Sequence, residues 1–355
     1  MKKYNLAVFI GRFQPFHNGH LAVVKEALKK SKHILFLVGS ANSAINIKNP
    51  FDFEQRKEFI KLSCNSLGFT YKDYTICPLN DSLYSNSVWK SSVEALVRDT
   101  VEENRLDYKK TCIVGFDKDD SSWYIKAFPQ WDVEYSHPYY ENGTLVNATD
   151  IREIFFTNSS LEYTKLQKVI YNLPVPSEVS KILFKIITDE NSNYLNLLSE
   201  YDFIKKYKKQ FEGYKYPPVF QTCDAAVFSG NHILLVRRRA APGKGLWALP
   251  GGFLNINERI KTGIIRELKE ETGLALAESQ IKLTERFDHP DRSLRARIIT
   301  DVGLIVLDNN GSLPKVKGSD DADMASWVSV PSILSNRNIL FEDHYDIILK
   351  MSSYI

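Results

Sequence analysis

Between Gly252 and Leu274 the chain reads GFLNINERIKTGIIRELKEETGL, and the spacing of its residues constrains the fold more than any other stretch. Glu258 follows Gly252 by six positions, Arg266 follows Glu258 by eight, and Glu267, Leu268, Glu270, Glu271, Gly273 and Leu274 complete the series. On a helix of about 3.6 residues per turn, Glu267, Glu270 and Glu271 share one face at i, i+3 and i+4. Ile264, Ile265 and Leu268 form a neighbouring apolar stripe suited to cover a sheet, and Ile260 falls off that stripe, so the helix is expected to begin near it. Gly263 lies close to the acidic face and is expected to leave a cation room. Three adjacent carboxylates repel one another unless a cation sits among them, and clustered hard oxygen donors suit Mg²⁺ or Mn²⁺. A solvated acidic face is the ordinary reading of such a run. Seven fixed residues and two aliphatics at set spacing, however, arise by chance with a probability on the order of 10⁻⁷ at average composition.

Near the start, the apolar run Tyr4–Ile10 passes into GRFQPFHNGH, Gly11 to His20. A buried strand, a glycine-marked turn and a helix start are the expected order. Gly11 permits a sharp turn and close approach of a ligand to the backbone, Pro15 stiffens the turn, and Gly19 keeps space open. The helix that follows presents unpaired N–H groups and a positive dipole end, a natural seat for phosphate oxygens. His17 and His20, three apart, project to the same side and can donate hydrogen bonds without obligatory charge, while Arg12 adds a fixed cation.

A chain of 355 residues has room for two or three domains. Its net charge of +3 gives no reason to expect nucleic acid or an anionic membrane as partner, and no apolar run approaches the ~20 residues of a membrane-spanning helix. MKKYNLAVFIGRF is read as a first strand rather than a signal peptide, because its apolar run is short and no small-residue cleavage site follows. Cys64, Cys77, Cys112 and Cys223 form no C-x-x-C pair and are expected to be buried reduced thiols of a cytoplasmic protein.

Up to about residue 150, strand-like and helix-like segments alternate, which argues for a parallel sheet covered on both faces, with ligands beyond the carboxyl ends of its strands. The texture changes over 173–216, read as a helical connector whose lysine run is a solvated helix face. After Pro218 the pattern is mixed: a hairpin turning at Ser229–Asn231, the long helix around 258–272, strands in RARIITDVGLIVLDNN and ASWVSV, and a closing helix in FEDHYDIILKMSS. The expected domains are therefore 1–172 and 217–355, joined by 173–216.

GRFQPFHNGH resembles the H-x-G-H nucleotidyltransferases, specifically the archaeal-type nicotinamide mononucleotide (NMN) adenylyltransferases. The resemblance implies transfer of AMP from ATP to NMN, giving NAD and pyrophosphate with magnesium. It assigns catalysis to His17, His20 and Arg152, and ATP binding to Gly11, Arg12, Phe13, His17, Gly19, His20, Thr149 and Arg152, the last pair from NATDIR. KNPFDFEQR supplies Asn49, Phe51 and Arg56 for the mononucleotide, and NDSLYSNSVW supplies Asp81, Asn86 and Trp89, the indole stacking on nicotinamide. GFDKDDSSWYIKAF is similar to the variant of this family found fused to a second domain.

The stretch from Gly252 is identified as a full Nudix box, with Gly252, Glu258, Arg266, Glu267, Glu270, Glu271 and Gly273 in place. By this resemblance Glu267, Glu270 and Glu271 are the principal catalytic metal ligands, Glu258 is a further ligand or base helper, and Arg266 orients a glutamate. The fold implied is α/β: an N-terminal Rossmann-like, doubly wound parallel sheet and a C-terminal α+β Nudix domain, a mixed sheet in an α/β/α sandwich. Nudix domains fused to this adenylyltransferase type resemble ADP-ribose pyrophosphatases, which yield AMP and ribose 5-phosphate. The implied partners are small molecules: ATP, NMN and ADP-ribose. NADH or another nucleoside diphosphate derivative is the alternative substrate. A ligand-sensing regulator is the alternative class, against which stand the intact box and the lack of room for a winged helix. Arg237–Arg239, Arg292, Arg295 and Arg297 are left open between phosphate contacts and plain surface charges.

Overall fold

The computed structural model describes residues 2–116, 120–190, 192–308 and 312–355. Asp117, Lys118 and Asp119 of the GFDKDD segment, and Asn309 and Asn310 at the end of the expected strand, lie outside the described residues. The chain divides into two compact units, Met1–Leu198 and Ser199–Ile355.

In the first unit, strands β1 (Tyr4–Gly11), β2 (Ser31–Val38), β3 (Tyr74–Pro78), β4 (Thr111–Gly115) and β5 (Asp132–Tyr135) form a parallel sheet in the order β3-β2-β1-β4-β5. Helices α1 (Asn18–Lys30), α2 (Phe53–Asn65) and α3 (Asn86–Glu103) are the crossovers. Both sheet faces are buried because β1 is apolar throughout: Leu6, Val8 and Ile10 join Val93 and Val97 of α3 in one core, while Phe9 on the opposite face meets Phe13 and Phe36. The strand order reverses beside β1, so the carboxyl ends of β1 and β4 open a crevice at the switch point. A short hairpin, β6 (Tyr140–Glu141) and β7 (Thr144–Leu145), precedes α4 (Ala148–Thr157) and α5 (Tyr163–Tyr171). The stretch read as a connector holds α6 (Ser177–Thr188) and most of α7 (Tyr194–Lys209). Val179 and Leu183 are fully buried in α6, which packs on α2 and α5, and the division of the chain falls within α7.

The second unit is built on a mixed sheet, β10 (Trp247–Ala248), β9 (His232–Arg238), β8 (Val219–Ser229), β13 (Arg297–Leu307) and β12 (Ile281–Phe287) in that order, with β11 (Gly251–Phe253) paired to β8 and β14 (Ala322–Ser329) to β9. Only β8 and β13 run parallel within it. Helix α8 (Ile260–Thr272) lays Ile264 and Leu268 onto Cys223, Ala225, Val227 and Ile305. Gly273 ends it in the left-handed region, φ +73°, where a side chain would be strained. A Cβ at Gly263 would meet Cys223 Sγ at 2.8 Å, Leu254 at 3.0 Å and Glu258 Oε1 at 3.2 Å, so this glycine lets α8 lie close on β8 beside one of the box glutamates. Helices α9 (Val330–Ser335) and α10 (His344–Ser352) follow β14. Among the described residues, no helix is long and apolar enough to cross a membrane.

Candidate functional site

In the first unit, His17 and His20 sit at the start of α1 as N-cap and third helical residue and close an unusual capping box. His20 N–H donates to His17 Nδ1 (3.4 Å) and His17 N–H donates to His20 Nδ1 (3.2 Å). Backbone N–H groups only donate, so both Nδ1 atoms are acceptors and the single proton of each neutral ring is on Nε2. The rings stack with centroids 3.6 Å apart. Burial pushes both imidazoles down, His17 to about 3 with help from the Arg152 charge, and His20 well below the usual range with help from His17. The pair is thus a neutral, fixed set of donors rather than a cation pair.

Arg152, on the first turns of α4, joins them: its guanidinium donates to the Gln14 carbonyl (2.7 Å) and to Thr149 Oγ1 (3.3 Å). The N-cap of α4 is Asn147, whose Oδ1 accepts from the N–H groups of Thr149 and Asp150. Arg12 is exposed nearby; burial lowers the pKa of Arg152 and Arg56 to about 10, and the Arg12 charge adds to the fall. Gly19 is needed because a Cβ would come within 3.0 Å of the His17 ring. Gly11 serves differently from the sequence expectation. A Cβ there would lie 2.9 Å from the Phe13 ring, so this glycine admits the ring rather than making the turn.

Three expected contacts are placed elsewhere. Phe13 is 1% exposed and Phe51 2%, their rings inside aromatic clusters, Phe13 with Phe9, Phe16, Phe36 and His20, and Phe51 with Phe59 and Phe155. Apolar rings at these positions supply shape to the turn, not a ligand surface. Arg56 is buried as well, its guanidinium donating to the carbonyls of Asp52, Arg12, Gly39 and Ser40. It ties the carboxyl ends of β1 and β2 together. Gln14, which sequence reasoning passed over within its own motif, holds Phe51 N–H and C=O with its side-chain amide. Asn49 Oδ1 is buried and has no hydrogen-bond partner among the described residues. Asp81 accepts from Ser40 N–H (3.3 Å), Asn86 opens α3 in an exposed position, and the half-buried Trp89 packs against Trp123 at 5.3 Å.

In the second unit the box glutamates gather on one guanidinium. Arg266 donates to Glu258 (2.5 and 3.0 Å), Glu267 (2.7 Å) and Glu270 (2.9 Å), and also to the Phe253 carbonyl. Glu271 instead accepts from Gly251 N–H at 2.9 Å. As they stand, no three carboxylate, imidazole or thiol groups among the described residues are arranged to hold a metal ion. The expected ligands are neighbours, engaged by Arg266 and Gly251.

The chemistry of the set nevertheless fits a hard divalent cation. Burial raises Glu271 to about 8, with Glu267 and Asp224 adding repulsion, and raises Glu267 despite Arg266. Glu258, beside Arg266, is held down to about 2. Asp224 on β8, missed in the sequence, is a further buried carboxylate raised to about 6 by burial, with Thr300 Oγ1 donating to it. An aspartate inside the apolar strand TCDAAVF was the signal. Three of the five carboxylates share Arg266, while Glu271 and Asp224 stand beside them without it, so added positive charge is what the cluster lacks. Space is kept for them by Gly251 and Gly252, whose Cβ atoms would fall 2.2 Å from Asp224 Oδ1 and 2.5 Å from Glu267 Oε1.

Two family models match: cytidylyltransferase-like over residues 8–154 and NUDIX domain over 221–350. A nicotinamide/nicotinic acid mononucleotide adenylyltransferase of Acinetobacter baylyi is 32% identical over 164 residues, 46% of this chain and 81% of that protein. An ADP-ribose pyrophosphatase of Methanocaldococcus jannaschii is 36% identical over 145 residues, 41% of this chain and 78% of that protein. A Francisella tularensis crystal structure of a bifunctional NMN adenylyltransferase/ADP ribose pyrophosphatase, complexed with AMP and Mn ion, is 37% identical, covers 99% of both chains and superposes with a TM-score of 0.86.

Proposed function

Since the chain belongs to the family of bifunctional NMN adenylyltransferases/ADP-ribose pyrophosphatases, we propose that it makes NAD and pyrophosphate from ATP and NMN in its first unit and cleaves ADP-ribose to AMP and ribose 5-phosphate in its second. The observation that carries the reading is that both polyphosphate-handling motifs are intact on one chain with a similar protein over its whole length.

For adenylyl transfer no covalent nucleophile is required. The NMN phosphate attacks the α-phosphorus of ATP, and the protein contributes position and charge. His17 and His20, their Nδ1 atoms engaged by the backbone, offer Nε2–H donors to the triphosphate. Arg152 adds the fixed charge that offsets negative charge on the departing pyrophosphate. Arg12, Gly19 and Thr149 line the phosphate end. Asn49, Asp81, Asn86 and Trp89 take the mononucleotide, and Arg56, Phe13 and Phe51 hold the surrounding backbone. Asn49 Oδ1, buried and unpartnered, suits a ligand donor.

For hydrolysis, Glu267, Glu270 and Glu271, with Glu258, would hold divalent cations, Mg²⁺ being the reading and Mn²⁺ the ion named in the Francisella structure. When bound, such ions polarise the diphosphate and lower the pKa of a water. Arg266 shares and orients three of the glutamates. Gly251 N–H aims Glu271. The protein works in the cytoplasm, with domains bounded near 1–172 and 217–355 and the α6–α7 region, 173–216, between them.

The test is product analysis of the full chain with ATP plus NMN, and separately with ADP-ribose, each with Mg²⁺. NAD is expected from the first mixture, and AMP plus ribose 5-phosphate from the second. Glu271→Gln is expected to abolish the second activity alone. Failure of the wild-type chain to form either product set overturns that half of the reading.

A further inference from the structure

Six arginines were left open by the sequence, and the structure separates them. Arg237 pairs with Asp323 at the surface, Arg239 donates to the Ala322 carbonyl, and Arg297 donates to the Asp288 carbonyl. Arg292 is buried in a two-bonded pair with Asp343. Each of these is engaged by the fold. Arg238 and Arg295 are different.

Arg238 ends β9; its Nε donates to the Pro242 carbonyl at 2.8 Å, and its guanidinium lies 4.1 Å over the Phe341 ring. Arg295 lies between two rings, 5.9 Å from the centroid of Phe253 and 5.8 Å from that of Phe341. Its polar partners are modest: Ser293 Oγ at 3.4 Å and Glu342 at 3.9 Å. Both arginines border the same ribbon. Arg238 follows Arg237 and Val236, which pair with β10, and β10 runs on to Gly251, whose N–H aims Glu271. Phe253, under Arg295, gives its carbonyl to Arg266, which collects the other glutamates. Arg238 thus lies beside the segment leading to Gly251, and Arg295 beside Phe253, the two backbone positions that bond Glu271 and Arg266 of the α8 cluster.

We infer that Arg238 and Arg295, stacked on Phe341 and Phe253, grip the diphosphate of the nucleoside substrate from the side opposite the glutamate helix. The inference deepens the hydrolase reading above and rests on it. A neighbouring ring restrains each guanidinium while terminal N–H groups can still reach phosphate oxygens, with a forked geometry that a flexible lysine does not match. Two like charges near each other favour an anion, of which Glu342, 3.9 Å from Arg295, already supplies part. Burial lowers the pKa of Arg238 and Arg295 adds to the fall, while Glu342 and Glu271 act against it.

The experiment compares kcat and KM for ADP-ribose hydrolysis in the full-length wild type, Arg238→Gln, Arg295→Gln, Arg295→Lys and Arg237→Gln. Loss of a charge-assisted phosphate contact should lower kcat/KM roughly 10- to 100-fold in each of the first two variants, mostly through KM, with little rescue by lysine. Arg237→Gln should stay within about twofold of wild type by the same measure. Arg295 is half-enclosed by rings, so circular dichroism and NAD formation check each preparation, and Arg238→Gln tests the idea independently if Arg295→Gln misfolds. Should the wild type cleave a different diphosphate-linked nucleoside instead of ADP-ribose, the substrate reading falls and the same losses are expected on that compound. Wild-type kcat/KM in Arg238→Gln and Arg295→Gln on whichever substrate is cleaved overturns the grip, as does a chain that cleaves none.

Discussion

Replacing Gly252 by alanine isolates the geometry of one carboxylate. Gly252 pairs with Cys223 in the β8–β11 ladder and does not have a positive φ, so alanine meets no backbone penalty. The cost falls on Glu267. The new Cβ would stand 2.5 Å from Oε1, 2.7 Å from Cδ and 2.8 Å from Oε2, whereas ordinary contact begins at 3.4 Å, so the carboxylate must retreat by 3.4 − 2.5 = 0.9 Å. Glu267 is 9% exposed and accepts from Arg266 at 2.7 Å, so it cannot retreat without disturbing that contact. A displacement of about 1 Å at a catalytic group costs about 10²-fold in rate. The expected result is thus a fall of roughly 100-fold in kcat for ADP-ribose hydrolysis, with at most about 1–3 kcal/mol lost in stability. Steady-state hydrolysis, NAD formation on the same sample and a thermal melt make the measurement. NAD formation should be unchanged. An alanine variant hydrolysing ADP-ribose within threefold of wild type would refute the assignment of Glu267 to the reacting centre.

Other perturbations probe the first unit. His20→Ala should lower the turnover of adenylyl transfer by roughly 10²-fold while the KM for NMN changes little, because the proposed role of the ring is to donate to the triphosphate; unchanged turnover removes His20 from catalysis. Arg56→Met should destabilise the unit by about 2–5 kcal/mol, since buried carbonyls lose their donors, yet leave KM for NMN nearly intact in the folded fraction. A raised KM at unchanged melting temperature would instead place Arg56 on the mononucleotide. The buried histidines give a pH signature. His17 has its folded pKa depressed to about 3, and His20 is also depressed, against an unfolded value near 6.5. Below pH 6.5 the unfolded chain binds the extra protons, so each ring removes about 1.4 kcal/mol of stability per pH unit until its folded pKa is reached. Urea midpoints for the first unit should fall between pH 6.5 and 4.5, and less steeply in His17→Gln. Parallel slopes in the two proteins would contradict the neutral, Nδ1-accepting rings.

What the sequence determined by itself are the features set by local spacing. Glu267, Glu270 and Glu271 share a helix face because 3.6 residues make a turn, and the helix begins at Ile260, where the apolar stripe fails. His17 and His20 lie together at a helix start because i and i+3 are neighbours. The parallel first sheet followed from strands alternating with helices. Tertiary structure decided everything that depends on which distant surface arrives. Arg56 reads as a ligand contact until the carbonyls of Arg12, Gly39 and Ser40 converge on it. Gly263 reads as space for an ion until Cys223 of β8 arrives within 2.8 Å of where its Cβ would stand, and nothing along β8 shows that Gly251 and the glutamates surround Asp224. Periodicity fixes neighbours along an element, whereas the partner of an exposed face is chosen by long-range packing, which no single segment encodes.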